Sequence, residues 1–268
     1  MGVAEIIPGI SGGTIALILG IYEKLVTSIS KFDLSLFNKI KKRNYREAME
    51  HIDLGFLLVL GLGMICAVLL LAAIISILIS SYTVFFKSLL SGLLFSSLFL
   101  PALRPNVLDK NILFGVLGAA TVGSVLIGLP SFIMDSASPL YIFLSGFIAI
   151  CALVLPGISG SFILLLLGIY PIVISAVNNL DLSILITFCL GCFFGLFSSA
   201  RIIKVFYEKN RQFMTAFFLG LILFSIPLIW KEDAFLINLP LLSESSSSVA
   251  FGLIVGALLI FLLQKTKS

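Results

Sequence analysis

Two short runs hold most of the sequence's capacity for chemistry: Pro8-Gly9-Ile10-Ser11-Gly12-Gly13-Thr14 and Pro156-Gly157-Ile158-Ser159-Gly160-Ser161. Each sets a Pro-Gly pair ahead of small hydroxyl and glycine residues, and an apolar stretch follows. Proline removes a backbone donor and glycine is the poorest helix former after proline, so a helix should stop there and restart. Ser and Thr suit the cap of the new helix, and glycine lets another group approach the backbone closely. A helix start offers unpaired N–H groups and a partial positive charge, which is chemistry for a phosphate or carboxylate. The candidate anion-binding residues are therefore Gly9, Ser11, Gly12, Gly13, Thr14, Gly157, Ser159, Gly160 and Ser161. A plain kink that lets helices pack closely through small residues is the structural alternative. Its occurrence twice favours a site.

The two runs belong to a longer duplication. Residues 4–37 align with 152–185 at a constant shift of 148, and 15 of the 34 positions are identical. The matches include PGISG, LGIY and DLS. Two unrelated apolar helices would share Leu and Ile, not Pro, Gly, Ser, Tyr and Asp. Each copy is followed by three apolar segments, at about 53–79, 83–100 and 112–133 in the first half and 182–206, 213–230 and 249–263 in the second.

These segments must be positioned by a bilayer. The chain is 60% hydrophobic and only 11% charged, well outside the range of a soluble domain. Its apolar stretches recur at lengths that cross about 30 Å of hydrocarbon. The opening MGVAEIIPG has neither a basic n-region nor a small-residue cleavage site, so it does not read as a signal peptide. The net charge of +4 is small, but its distribution is informative. Basic residues cluster in 31–52, 104–110, 201–211 and the C-terminal tail, whereas the remaining loops hold only Lys231. With the basic set in the cytoplasm, the spans alternate sides consistently and the C-terminus is cytoplasmic. The two copies then run in opposite directions, the pattern of inverted-repeat transporters. Residues 139 and 178 fall on the same side, so the chain between them enters and returns. Two full spans or one re-entrant hairpin broken at Pro156-Gly157 would do this, and the Pro-Gly break favours the hairpin. Broken backbone at membrane depth is tolerated where protein or a water-filled cavity surrounds it. The expected fold is an all-α integral membrane protein: an inverted-topology repeat with two re-entrant helical hairpins and about six full transmembrane helices. The first repeat covers 1–133 and the second 134–268, in one membrane domain, with the hairpin tips meeting near the midplane.

Charged residues within or beside the spans are candidates for coupling or gating. Glu5 precedes the first break; its counterpart is Leu153, so tip geometry does not require it. Glu23 stands where the other copy has Pro171, and on a continuous helix it lies about 18 Å beyond Gly12, near the cytoplasmic interface. Arg201 reaches either the inner surface or a phosphate. Lys24 and Lys87 read as snorkelling anchors, and the matched Tyr22 and Tyr170 as interface anchors. His51 reads as solvated. The basic, amphipathic stretch 32–51 is either a surface helix on an anionic leaflet or a cytoplasmic loop. Cys66, Cys151, Cys189 and Cys192 lie in apolar runs and read as buried small hydrophobes. Although Cys189 and Cys192 form a C-x-x-C, one histidine in the chain leaves a zinc site few partners.

At PGISGGTIALILGIYE the sequence resembles the bacterial polyprenyl-phosphate transporter family, long catalogued as a membrane domain of unknown function. The resemblance rests on Gly2, Ala4, Pro8, Gly9, Ser11, Gly12, Gly13, Thr14, Gly20, Tyr22 and Glu23, with Pro156, Gly157, Ser159, Gly160 and Ser161 in the second half, and it extends over essentially the whole chain. It implies that undecaprenyl phosphate, the carrier lipid of cell-wall polymers, is returned to the cytoplasmic leaflet of the bacterial inner membrane. It implies no cofactor; proton and sodium coupling both remain open. Family members usually carry more residues upstream of the first motif. Here 1–7 supply about 10 Å of helix, so either Met1 is an internal start or the first arm is short.

The expected partners are this lipid and the bilayer, not nucleic acid, because the basic residues sit in short loops between spans. A transporter of a small soluble anion uses the same parts. A histidine-based lipid phosphatase needs a nucleophile and an acid, and a single His51 in a basic loop does not supply them.

Overall fold

The computed structural model describes residues 1–6, 11–100, 110–128, 137–232, 236–237 and 246–265. Fourteen helices occupy most of them, with a two-residue antiparallel ladder pairing β1 (Lys231–Glu232) and β2 (Leu236–Ile237). The first half contains α1 (Gly2–Ile6), α2 (Gly12–Ile18), α3 (Tyr22–Ser30), α4 (Leu34–Lys41), α5 (Tyr45–His51), α6 (Leu54–Ser81), α7 (Thr83–Ser97) and α8 (Lys110–Gly128). The second contains α9 (Pro139–Val154), α10 (Gly160–Leu166), α11 (Tyr170–Asn179), α12 (Leu182–Lys209), α13 (Arg211–Ile229) and α14 (Ser246–Lys265). The six apolar segments expected from sequence correspond to α6, α7, α8, α12, α13 and α14.

This is a membrane protein. α6 and α12 are long and apolar enough to cross a bilayer. At 28 residues each they reach about 42 Å. α7, α8, α9, α13 and α14 are shorter apolar helices. α6 turns Leu58, Val59, Leu62, Leu69 and Leu70 outward, and α12 does the same with Ile186, Phe193, Phe194 and Phe206. Such a surface is stable facing lipid, not water. Cys66 on α6 and Cys189 on α12 are exposed on these same helices, and Cys151 and Cys192 are half-buried. The expectation of buried cysteines is corrected: a thiol is apolar enough to face acyl chains.

Helices approach through small residues, as lipid-solvated bundles require. α7 packs on α14 through Gly92 against Leu253 and Gly256 against Leu89. α8 packs on α13, where a Cβ at Gly115 would lie 2.5 Å from the Phe213 carbonyl oxygen. α9 packs on α12 through Gly146, Gly191 and Gly195. The pairings α7–α14 and α8–α13 each join one half of the chain to the other, so neither half makes its core alone.

Over the described residues, the duplicated segments break and restart their helices at matching positions. α2 and α10 both start one residue after a serine with extended backbone, Ser11 (φ −98°, ψ 139°) and Ser159 (φ −94°, ψ 131°). Both end at a glycine with positive φ, Gly20 (67°) and Gly168 (69°). There Ile21 N–H bonds the Ala16 carbonyl and Gly20 N–H the Leu17 carbonyl; Ile169 to Leu164 and Gly168 to Leu165 repeat the pattern. This is the Schellman stop, which needs a left-handed residue that glycine adopts without strain. Asp33 and Asp181 then cap α4 and α12 at equivalent positions. The stop corrects one expectation: α2 does not run on to Glu23, because Gly20 ends it and α3 restarts at Tyr22. In the second copy α10 and α11 diverge by 111° at the matching break.

Candidate functional site

The second Pro-Gly break is built as the sequence indicates. α9 ends at Val154, and Leu155, the residue before proline, is extended (φ −76°, ψ 125°). Gly157 has φ +91°, and a Cβ on it would lie 2.5 Å from the backbone carbon of Leu221 on α13. After the turn, α10 packs back against α9. Pro8, Gly9 and Ile10, and with them the candidate Gly9, lie outside the described residues.

The two tips touch. Ser11 Oγ directs its single proton toward the carbonyl oxygens of Leu153 (2.9 Å) and Leu155 (3.1 Å). In return, the Gly157 N–H donates to Thr14 Oγ1 over 2.8 Å. Gly13 presses on the same end of α9, where a Cβ would meet the Val154 carbonyl oxygen at 2.8 Å. Residues more than 140 positions apart thus share one buried polar junction: Ser11 is 1% exposed, Thr14 0% and Ser159 4%. Burial makes each bond specific, since an unpaired polar group there costs about 1–3 kcal/mol.

The donors at the two tips are used differently. At the first, Gly12 N–H donates to Glu5 Oε1 (2.8 Å) and Gly13 N–H to the capping Ser11 Oγ (3.0 Å). A carboxyl oxygen of the chain itself therefore sits at the start of α2. Glu5, which sequence reasoning judged unnecessary for the tip, is part of it; the signal was an acid seven residues before a glycine helix start. At the second tip Ser159 holds the cap position without a cap hydrogen bond, and its Oγ lies 2.8 Å from Ser161 Oγ. No described residue takes the N–H of Gly160 or Ser161.

The other charged candidates lie elsewhere. Glu23 faces Arg211 (Oε2 to Nη2, 3.7 Å), with the Arg211 guanidinium 5.4 Å from the Tyr207 ring. Beside Glu23, between α3 and α12, is a cavity of about 20 Å³, room for one water. Tyr22 lines it and is 3% exposed, edge-on to Phe218 at 5.3 Å, with no partner for its hydroxyl among the described residues. The interface-anchor reading therefore fails for Tyr22, because the Schellman break turns it into the core. Tyr170 is 36% exposed, as an anchor would be. Arg201 donates to the Phe32 carbonyl, not to the tips. Lys24 pairs with Asp53 (2.8 Å) and lies 4.6 Å from the Phe56 ring, so it is an ion-pair partner beyond a simple snorkel. The Lys87 ammonium stands 5.9 Å from the Trp230 ring. His51 is not freely solvated: its ring is largely covered, 3.4 Å from Asp33 Oδ1. No cluster of His, Cys, Asp or Glu suited to a metal occurs among the described residues.

The sequence also matches known proteins. Residues 1–239 match a family described as undecaprenyl phosphate translocase-like. A polyprenyl-phosphate transporter of Vibrio cholerae is 37% identical over 234 residues, covering 86% of this chain and 74% of that protein. A polyprenyl-phosphate transporter of Staphylococcus aureus is 28% identical over 245 residues, covering 84% of this chain and 81% of that one. No solved structure matches. The chain belongs to the undecaprenyl phosphate translocase-like family, a family of membrane transporters and not of enzymes.

Proposed function

We propose that this protein carries undecaprenyl phosphate, or a close polyprenyl phosphate, between the leaflets of the bacterial cytoplasmic membrane, returning the carrier lipid for reuse. Repeats 1–133 and 134–268 lie with opposite topology, each contributing one re-entrant hairpin, and the C-terminus is cytoplasmic. The headgroup phosphate binds where the tips meet while the isoprenoid tail stays in lipid. Alternating exposure of this junction to the two sides moves the phosphate without taking a bare charge through hydrocarbon, which would cost many kcal/mol. One observation carries the reading: the crossed bonds of Ser11 to Leu153 and Leu155, and of Gly157 to Thr14, join the duplicated tips in a buried polar junction.

The second tip is the primary phosphate seat. Its Gly160 and Ser161 N–H groups and the Ser159 and Ser161 hydroxyls supply neutral donors around Gly157. At the first tip the Glu5 carboxylate already occupies the Gly12 N–H, so Glu5 acts as a latch that an incoming phosphate displaces. Protonation of Glu5 favours that displacement, which makes a proton the coupling ion this site suits best. Glu23, bridged to Arg211, holds α3 toward the start of α13 and gates the cytoplasmic path.

The test is leaflet exchange of labelled polyprenyl phosphate in liposomes containing the purified protein, alongside the Ser11→Ala/Ser159→Ala double variant and a soluble-phosphate uptake assay. The reading expects accelerated lipid exchange that the double variant loses. Uptake of soluble phosphate with no lipid exchange, under any imposed proton or sodium gradient, would replace it with a small-anion transporter.

A further inference from the structure

The helices α4 and α5 take no part in the tip junction, yet they pack on each other and are tied to the rest of the bundle. They close on each other around Leu36, Ala48 and Ile52, with Phe32 and Leu54 against them. Asp33 caps α4 by accepting from Leu36 N–H (3.0 Å) and approaches His51 at the end of α5. Arg201 grips the entering chain at the Phe32 carbonyl, and Lys24 grips the exit at Asp53. The pair is thus tied at its two ends to α12 and α3.

Its outer surface has two characters. Leu34 (81% exposed), Phe37 (64%), Tyr45 (57%) and Met49 (46%) stand in the open. Leu34 and Phe37 are spaced i, i+3 and Tyr45 and Met49 i, i+4, so each pair shares one side of its helix. Another side forms a polar groove of about 440 Å³ lined by Ser35, Asn38, Lys39, Lys42, Asn44 and Glu47. Lys39, Lys41, Lys42, Arg43 and Arg46, five against Glu47 and Glu50, leave residues 34–51 with a net charge of +3, and Arg46 is paired with Glu50 (3.1 Å). Depth agrees as well. α6 starts at Leu54, and its lipid-facing residues begin at Leu58 and Val59, only about 6 Å further along the axis. The pair therefore lies at the height where hydrocarbon gives way to headgroups.

We propose that α4 and α5 form an interfacial foot resting on an anionic phospholipid surface. Leu34, Phe37, Tyr45 and Met49 dip into the acyl boundary, and the lysines and arginines engage lipid phosphates. The occupant is lipid because an apolar stripe beside a cationic cluster complements an anionic bilayer, and the ties to α12 and α3 hold the stripe at bilayer height. This assignment stands independently of what the tips transport.

Phe37→Trp tests it in proteoliposomes, read against the parent, whose sole tryptophan is the buried Trp230. Ser35→Trp, in the groove and roughly opposite Phe37 around α4, serves as the control. The foot predicts blue-shifted emission from Phe37→Trp, quenched several-fold more by brominated phosphatidylglycerol than by brominated phosphatidylcholine, while Ser35→Trp is quenched far less by either. Water-like emission without quenching would overturn the proposal. Blue-shifted emission that neither lipid quenches would also overturn it, placing a protein partner or second copy there. Equal quenching by both lipids would refute the anionic preference.

Discussion

Thr14→Val is the sharpest perturbation of the tip junction. It exchanges a hydroxyl for a methyl and nearly conserves shape, but removes the oxygen that receives the Gly157 N–H at 2.8 Å. Thr14 is fully buried and Gly157 is wedged against Leu221, so neither water nor a small shift can replace the acceptor. A buried donor left unpaired costs about 1–3 kcal/mol. At about 1.4 kcal/mol per decade, local opening at the tip becomes roughly 5- to 150-fold more frequent. Hydrogen exchange at the Gly157 amide, measured by mass spectrometry of 153–160 in reconstituted protein, reads this directly. Thr14→Ser keeps the acceptor, so it should preserve Gly157 protection although it loses a methyl group. Unchanged Gly157 protection in Thr14→Val, or equal loss in Thr14→Ser, would refute the claim that this hydrogen bond joins the tips.

Gly157→Ala combines a φ of +91° with a Cβ 2.5 Å from backbone, so folded protein recovered by size exclusion should fall sharply. Gly55→Ala, with nothing within 4 Å, should be neutral or slightly stabilising. The Glu23–Arg211 pair is well exposed on both sides, so a double-mutant cycle on thermal stability should give a coupling of only about 0.2–1 kcal/mol. A much larger coupling would mean that the pair is desolvated. At Asp33, burial pushes the carboxyl up, but the Leu36 N–H, His51 and the Ser35 N–H together hold it below the usual aspartate range. Its capping contribution is therefore complete above the ordinary aspartate value of about 3.9 and is lost only as pH falls through the lower folded value. The protection factor of the Leu36 amide should stay flat down to about pH 4 and drop below it.

Much of this protein was legible without coordinates. Composition alone demanded lipid as the solvent, because so apolar a chain has nowhere else to place side chains such as Leu58 and Phe193. Repetition at a shift of 148 marked the two tips, and Pro156-Gly157 marked where the backbone breaks. These signals are local: a helix break or an apolar run is decided within a few residues. The second stop at Gly20 and Gly168 was equally local, written in Leu-Gly-Ile, and was missed because an apolar stretch reads as one helix when its glycine is not tested as a cap.

Tertiary structure decided what no local pattern encodes, namely which groups meet. That Ser11 directs its proton to carbonyls near residue 154 and that Thr14 serves Gly157 depend on how two halves of the chain cross. Tyr22 and Tyr170 occupy equivalent places in the repeat, yet one is buried against Phe218 and the other exposed. Sequence symmetry set their position along the backbone; the packing of α3 against α12 and the Phe218 ring set their solvent. A hydrogen bond acts over about 3 Å of space whatever the separation along the chain, so only the folded path could assign these partners.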